Sequence, residues 1–283
     1  MNLRIVSAIL VLALAPLASM ACGFSVDLPD QVQAGPDVTD KITVADPESD
    51  ETRLSLSFGA GELKLSSGAE GLVEGTALYN VKEMKPEVIK NGPSIEIRQG
   101  NFDGIPPFNN LKNQWDLKLG TTPMDLTIDA GAYEGTMELG GLSLKSLAVK
   151  DGAASVNLSF SEPNLIEMST LAYSTGASEV KLSGLGNANF SKFDFDGGAG
   201  SYTLDFSGEL QRDASVKIDT GLSELTLIIP EGVDAILTMD GGLTDINLGG
   251  GWSQSGNVYS HQGSGPTLDI VINMGAGNVT VKE

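Results

Sequence analysis

The chain has 283 residues, 41% of them hydrophobic, which is enough apolar material for a sizeable core and excludes a chain disordered throughout. Its 37 acidic and 17 basic residues give a formal net charge of −20. So acidic a surface repels nucleic acid and anionic lipid headgroups, and it suits a protein kept soluble outside the cell.

Residues 1–21 read as a signal peptide. Arg4 supplies the positive start, and Ile5 to Leu17 is an apolar run broken by Ser7 and Pro16. That run is shorter than the roughly 20 apolar residues that span a bilayer. Cys22, the one cysteine, follows Leu17-Ala18-Ser19-Met20-Ala21, which resembles a bacterial lipobox whose cysteine is acylated after cleavage. Ala21 suits the residue before the cut, whereas Ser19 stands where Leu, Val or Ile is usual. Ser19-Met20-Ala21 also satisfies an ordinary signal peptidase acting at the same bond. A lone thiol serves no disulfide, so lipidation of Cys22 is the expectation. Residues 22–40, rich in Asp, Pro, Gly and Gln, then read as a lipidated tether. The expected product is exported and membrane-anchored, on the cell surface or in the periplasm.

From Ile42 onward, apolar and polar residues alternate, with a glycine-containing turn every 20-odd residues. The recurring unit is two apolar residues one apart, then Gly, three residues, and two more apolar residues one apart. Phe193, Phe195 and Gly198 lead to Tyr202 and Leu204; Val216, Ile218 and Gly221 lead to Leu225 and Leu227. Similar units centre on Gly59, Gly131, Gly152, Gly176, Gly242 and Gly275. Alternation puts each apolar pair on one strand face, and the glycine implies a corner with positive φ. From Gly131 to Gly242 the corners are separated by 21, 24, 22, 23 and 21 residues. Constant spacing favours one layer per repeat over a sandwich of independent hairpins. The predicted fold is therefore all-β, a β-solenoid (β-helix or β-roll) of coils about 22 residues each.

Tyr79 to Asn113 departs from the repeat, with Lys85-Pro86, Gly92-Pro93 and Ile105-Pro106-Pro107 as turn signals around a short strand, Ile95-Glu96-Ile97. We place residues 41–115 in an N-terminal β capping segment, with a boundary near Trp115, and residues 116–283 in the solenoid. A second irregularity lies between Gly242 and Gly275, where a Gly-flanked excursion carries Trp252, Tyr259 and the only histidine, His261. It reads as a hairpin capping the last coils or as a binding loop, the former being favoured because terminal repeats are commonly atypical.

Leu54-Ser55-Leu56-Ser57-Phe58-Gly59-Ala60-Gly61-Glu62-Leu63, Leu72-Val73-Glu74-Gly75-Thr76, Tyr79-Asn80-Val81 and Trp115-Asp116-Leu117-Lys118-Leu119 resemble the bacterial toast-rack family. The resemblance implies a lipoprotein whose N-terminal toast-rack segment joins a repeat region like that of the cell-wall-antibiotic-response and adhesin families. It carries no catalytic residues to this chain.

Catalytic machinery is sparse. His261 sits among Gly, Ser and Gln, where a positioned base is hard to hold, and no zinc-ligand spacing occurs. Aligning the repeats puts Asp196, Asp219 and Asp240 at one turn position in consecutive layers, with Asp129 earlier and Asn273 later. Such a ladder reads as turn capping, or as a calcium site relieving the repulsion between stacked carboxylates. Two functions compete on this basis. One is a non-enzymatic envelope lipoprotein presenting the solenoid for adhesion, envelope sensing or assembly with envelope proteins or glycans. The other is a carbohydrate-active β-helix, a polysaccharide lyase or hydrolase, using the acidic residues, calcium, and Arg212 and Lys217 near Asp213 and Asp219.

Overall fold

A computed structural model describes residues 32–100 and 110–283. The signal peptide expected from the sequence and Cys22 lie outside the described residues.

Eight long strands form the body: β2 (Thr52–Ser67), β7 (Met124–Glu138), β8 (Leu144–Ser159), β9 (Met168–Ser183), β10 (Phe190–Asp205), β11 (Ala214–Ile228), β12 (Asp234–Leu248) and β15 (Thr267–Lys282). All run parallel, with one register shift where β8 skips a residue between Met124 and Asp125 of β7, and in β10 and β11 Phe193 faces Val216, Phe195 faces Ile218, Tyr202 faces Leu225 and Leu204 faces Leu227. Burial falls on alternate residues, as a one-sided strand requires. In β10 the buried positions are odd-numbered from Phe193 to Gly197 and even-numbered from Tyr202. The inward face changes parity at Gly198, and each strand is thereby two arms joined at a corner.

The corner glycines take no left-handed φ. This corrects the positive φ expected from the sequence. What requires glycine there is the spacing between layers: a Cβ on Gly198 would lie 2.4 Å from the carbonyl oxygen of Gly176, and one on Gly221 2.8 Å from that of Gly198. The same contact continues through Gly275 and Gly242, making a column of glycines down the stack.

The layers run β2, β7, β8, β9, β10, β11, β15, β12. The sequence repeat alone predicts that β12 lies directly on β11. Instead the C-terminal strand β15 occupies the layer between them, pairing with β11 on one side and β12 on the other. β15 brings Leu268, Ile270, Ile272, Met274, Val279 and Val281, all buried, whereas Met239, Ile246 and Leu248 of β12 are only partly covered. The more apolar strand thus takes the doubly covered position, where burial is worth roughly 1.5–3 kcal/mol per large side chain.

Inside the two arms the core is aromatic at mid-stack. Tyr173 stacks on Phe195 at 5.7 Å, and Phe195 meets Tyr202 edge-on at 5.0 Å. The return segments close the third side with Leu139, Leu142, Phe160, Leu185, Phe206 and Ile229, all buried. Asparagine amides tie one layer's return to the next: Asn164 donates to Leu144 O, Asn187 to Phe160 O and Asn189 to Ile166 O.

At the N-terminal end the two arms of β2 acquire different neighbours. β5 (Ser94–Gln99) lies parallel on the first arm and is edged by antiparallel β4 (Pro86–Asn91). β6 (Asn113–Leu119) lies parallel on the second arm, followed by antiparallel β3 (Val73–Tyr79) and β1 (Val38–Val44). Phe58 packs edge-on against Trp115 at 5.1 Å, joining the two parts. The boundary placed near Trp115 therefore falls within a strand, and β2 itself is the first full layer of the stack.

Candidate functional surface

The corner column defines an open groove. In the C-terminal half a recess of about 640 Å³ is lined by Asp196, Gly197 and Gly198; Asp219, Thr220 and Gly221; Asp240, Gly241 and Gly242; and Asn273, Met274 and Gly275. Each triplet is the same stretch of consecutive layers, brought together by the parallel register. Asp196 and Asp219 are direct neighbours. Asp219 and Asp240 are not, because β15 places Asn273 between them. The ladder of consecutive layers expected from the sequence is thus interrupted, and its order is Asp196, Asp219, Asn273, Asp240. Lys217 Nζ lies 2.5 Å from Asp219 Oδ2, and Asn273 Nδ2 donates to Asp219 Oδ1 at 2.6 Å. Those two contacts hold the Asp219 carboxyl below its usual range, the lysine contributing most, and Asp219 in turn raises Lys217. Among the described residues no group of three or more His, Cys, Asp or Glu side chains is arranged to hold a metal ion.

A second recess of about 420 Å³ lies at the same corner nearer the N-terminal end, lined by residues including Ser57, Gln99, Asp129, Lys150 and Asp151. Asp151 connects it to the interior. Its Oδ2 accepts from Tyr173 OH at 2.6 Å, and its Oδ1 accepts from Thr175 Oγ1, which in turn accepts from Ser178 Oγ at 2.6 Å. Burial, and then the charge of Asp151, push the phenol of Tyr133 well above its ordinary value, and burial does the same to Tyr173. Sequence reading missed this network. The available signal was position: with inward parity changing at the corner, the residue before the glycine and the second one after it both point inward, and in β9 these are Thr175 and Ser178.

Trp252, Tyr259 and His261 belong to a hairpin of β13 (Trp252–Ser255) and β14 (Val258–His261). β14 pairs antiparallel with the first arm of β12, from Ala235 to Thr238. Tyr259 and His261 are buried, Trp252 lies 5.4 Å from the His261 ring, and His261 Nδ1 is 3.2 Å from Val233 O. These side chains cover the first arm of the last layer. Arg212 is paired with Glu167 at 2.6 Å and donates to Asn189 Oδ1, so it clasps two return segments, while Lys217 stands on the outer face of β11. No helix among the described residues is long and apolar enough to cross a membrane.

A parallel stack of cornered strands, open along a glycine-floored acidic groove and capped by antiparallel strands, is a β-solenoid repeat protein. The chain belongs to the toast_rack family: the family model described as N-terminal domain of toast_rack, DUF2154, matches residues 33–169 and 163–228. No curated protein matches the sequence. Among solved structures, the chain is similar to a protein provisionally named a cell adhesion protein from Clostridium sporogenes ATCC 15579. They are 22% identical with a TM-score of 0.51, covering 87% of this chain and 99% of that one. A provisionally named adhesin from Bacteroides fragilis NCTC 9343 is 10% identical with a TM-score of 0.41, over 89% and 99% of the two chains. A provisionally named lipid binding protein from Parabacteroides distasonis ATCC 8503 is 11% identical with a TM-score of 0.42, over 89% and 100%. The first of these likenesses extends to the fold.

Proposed function

We propose that the protein is a non-enzymatic envelope lipoprotein, anchored through Cys22, that uses its solenoid flank and corner groove to engage other envelope components. The observation that carries this reading is the groove: a regular, open row of backbone and short polar side chains repeating at layer spacing, roughly 4.8 Å. An extended partner meets glycine backbone and a polar side chain in every layer of such a row. The groove's acidity, with Asp196 and Asp240 flanking the lysine-paired Asp219 and Asn273, suits a cationic or hydroxyl-rich partner over an anionic one. Arg212 and Lys217, the cations a polysaccharide lyase would need free, are each held in an ion pair.

The test is binding of purified Cys22→Ser protein to cell-wall fragments, neutral and acidic polysaccharides and solubilised envelope proteins. Retention on at least one, lost when Asp196 and Asp240 are both changed to Lys, is the expected outcome. Absence of binding across the panel, or turnover of an acidic polysaccharide, would overturn the proposal.

A further inference from the structure

The two arms of β12 end differently. The first is covered by β14, but no described strand pairs with the outer side of the second arm, from Leu243 to Leu248. Gly249 N–H donates to Val281 O of β15. Backbone groups alternate in direction along a strand, so the odd-numbered residues of this arm face β15 and Thr244, Ile246 and Leu248 turn N–H and C=O outward. The side chains of Ile246 and Leu248 meanwhile point into the core and are only partly covered, and Leu243 beside them is 84% exposed.

The other described sheet edges are protected as edge strands usually are. β4 begins with Pro86 and carries Glu87 and Lys90. β1 carries Asp40, paired with Lys85 at 3.6 Å, and Lys41. β13 is four residues long. The second arm of β12 carries a single charge, Asp245, on its outer face.

We propose that this arm pairs antiparallel with the same arm of a second copy, about a twofold axis through Ile246. The arm is self-complementary in that register. Ile246 meets Ile246, Thr244 meets Leu248, and every outward N–H and C=O of the three residues finds a partner in an isologous strand pair. On the outer face Asp245 falls opposite Asn247, whose amide can donate to it. A register centred on Asp245 would set two carboxylates against each other, and one centred on Asn247 would leave Thr244 facing Gly250. The pairing joins two solenoids end to end and covers Ile246 and Leu248.

Sedimentation of the Cys22→Ser protein, which has no other cysteine, tests this. Concentration-dependent dimers are expected across the micromolar range, favoured by salt because both copies are acidic. Ile246→Pro should return the protein to monomer with its fold retained by circular dichroism, since the lost N–H faces away from β15. Asp245 and Asn247 form the closer, non-hydrogen-bonded pair of the register, at about 4.5 Å between Cα atoms, within disulfide reach. In that background Asp245→Cys with Asn247→Cys should cross-link dimers under oxidation, and Asn247→Cys alone should not. A monomer at all concentrations, a dimer that survives Ile246→Pro, or a double variant that fails to cross-link would each overturn the proposal. If Ile246→Pro does not fold, the cysteine pair decides.

Discussion

Asn273 donates its side-chain amide to Asp219 at 2.6 Å, and by lying in the layer between β11 and β12 it separates Asp219 from Asp240. A neutral donor thus stands where a fourth carboxylate would otherwise sit. Asn273→Asp would remove the hydrogen bond and align like charges at layer spacing, costing roughly 1–2 kcal/mol. The melting midpoint should fall by a few degrees in low salt and recover in part as salt is raised. An unchanged midpoint would show that the groove carboxylates do not interact.

The corner glycines and Gly256 make opposite demands. Gly198 has ordinary φ but no room, with a Cβ meeting Gly176 O at 2.4 Å; Gly256 has room but φ of 65°. Asparagine tolerates left-handed φ far better than it tolerates a backbone clash. Gly256→Asn should therefore be nearly neutral in thermal unfolding, while Gly198→Asn should cost about 1–3 kcal/mol by overpacking and lower the midpoint by several degrees. Equal effects would contradict the glycine column.

Tyrosine titration probes the interior. Burial raises Tyr79 to about 12, with Asp40 adding to the shift, and raises Tyr202 to about 12; Tyr133 and Tyr173 are pushed higher still. For an acid whose folded value lies above its unfolded one, the stabilisation is complete below the unfolded value, about 10, and is lost as pH rises through the folded value. Ultraviolet absorbance should show these phenols ionising together with unfolding between about pH 10 and 12. Gradual ionisation of Tyr79, Tyr133, Tyr173 and Tyr202 before circular dichroism changes would indicate an open core.

On the proposed anchoring, Cys22→Ser should release the protein from membranes into the periplasm or medium, because it would remove the acyl acceptor and keep the export signal. Fractionation with mass spectrometry of the N-terminus checks this, and recovery of the variant in membranes at the wild-type level would defeat the anchor.

The strands were legible because period-two alternation around residues such as Phe193, Phe195, Tyr202 and Leu204 leaves little choice of face. The corners were legible in position and misread in cause, since a glycine in a repeat does not reveal whether φ or a neighbouring carbonyl requires it. Layer order was legible as far as β11. Beyond that, Leu237, Met239 and Gly242 match Ile270, Ile272 and Gly275, so the pattern fits either strand into either layer, and proximity in sequence favoured the wrong one. The Asp151 network was hidden because alternation was followed through the corner without its change of parity.

The interposed β15 also sets an order in time. Every layer from β7 to β11 is laid on one that precedes it in the chain, so the stack can grow as residues emerge from a ribosome or a translocation pore. β12 emerges before the strand that supports it. Its final place is fixed only after Thr267–Lys282 has arrived and slid in beneath it, so the stretch from β12 to β15 closes as one unit, and only once the last strand is free to join it.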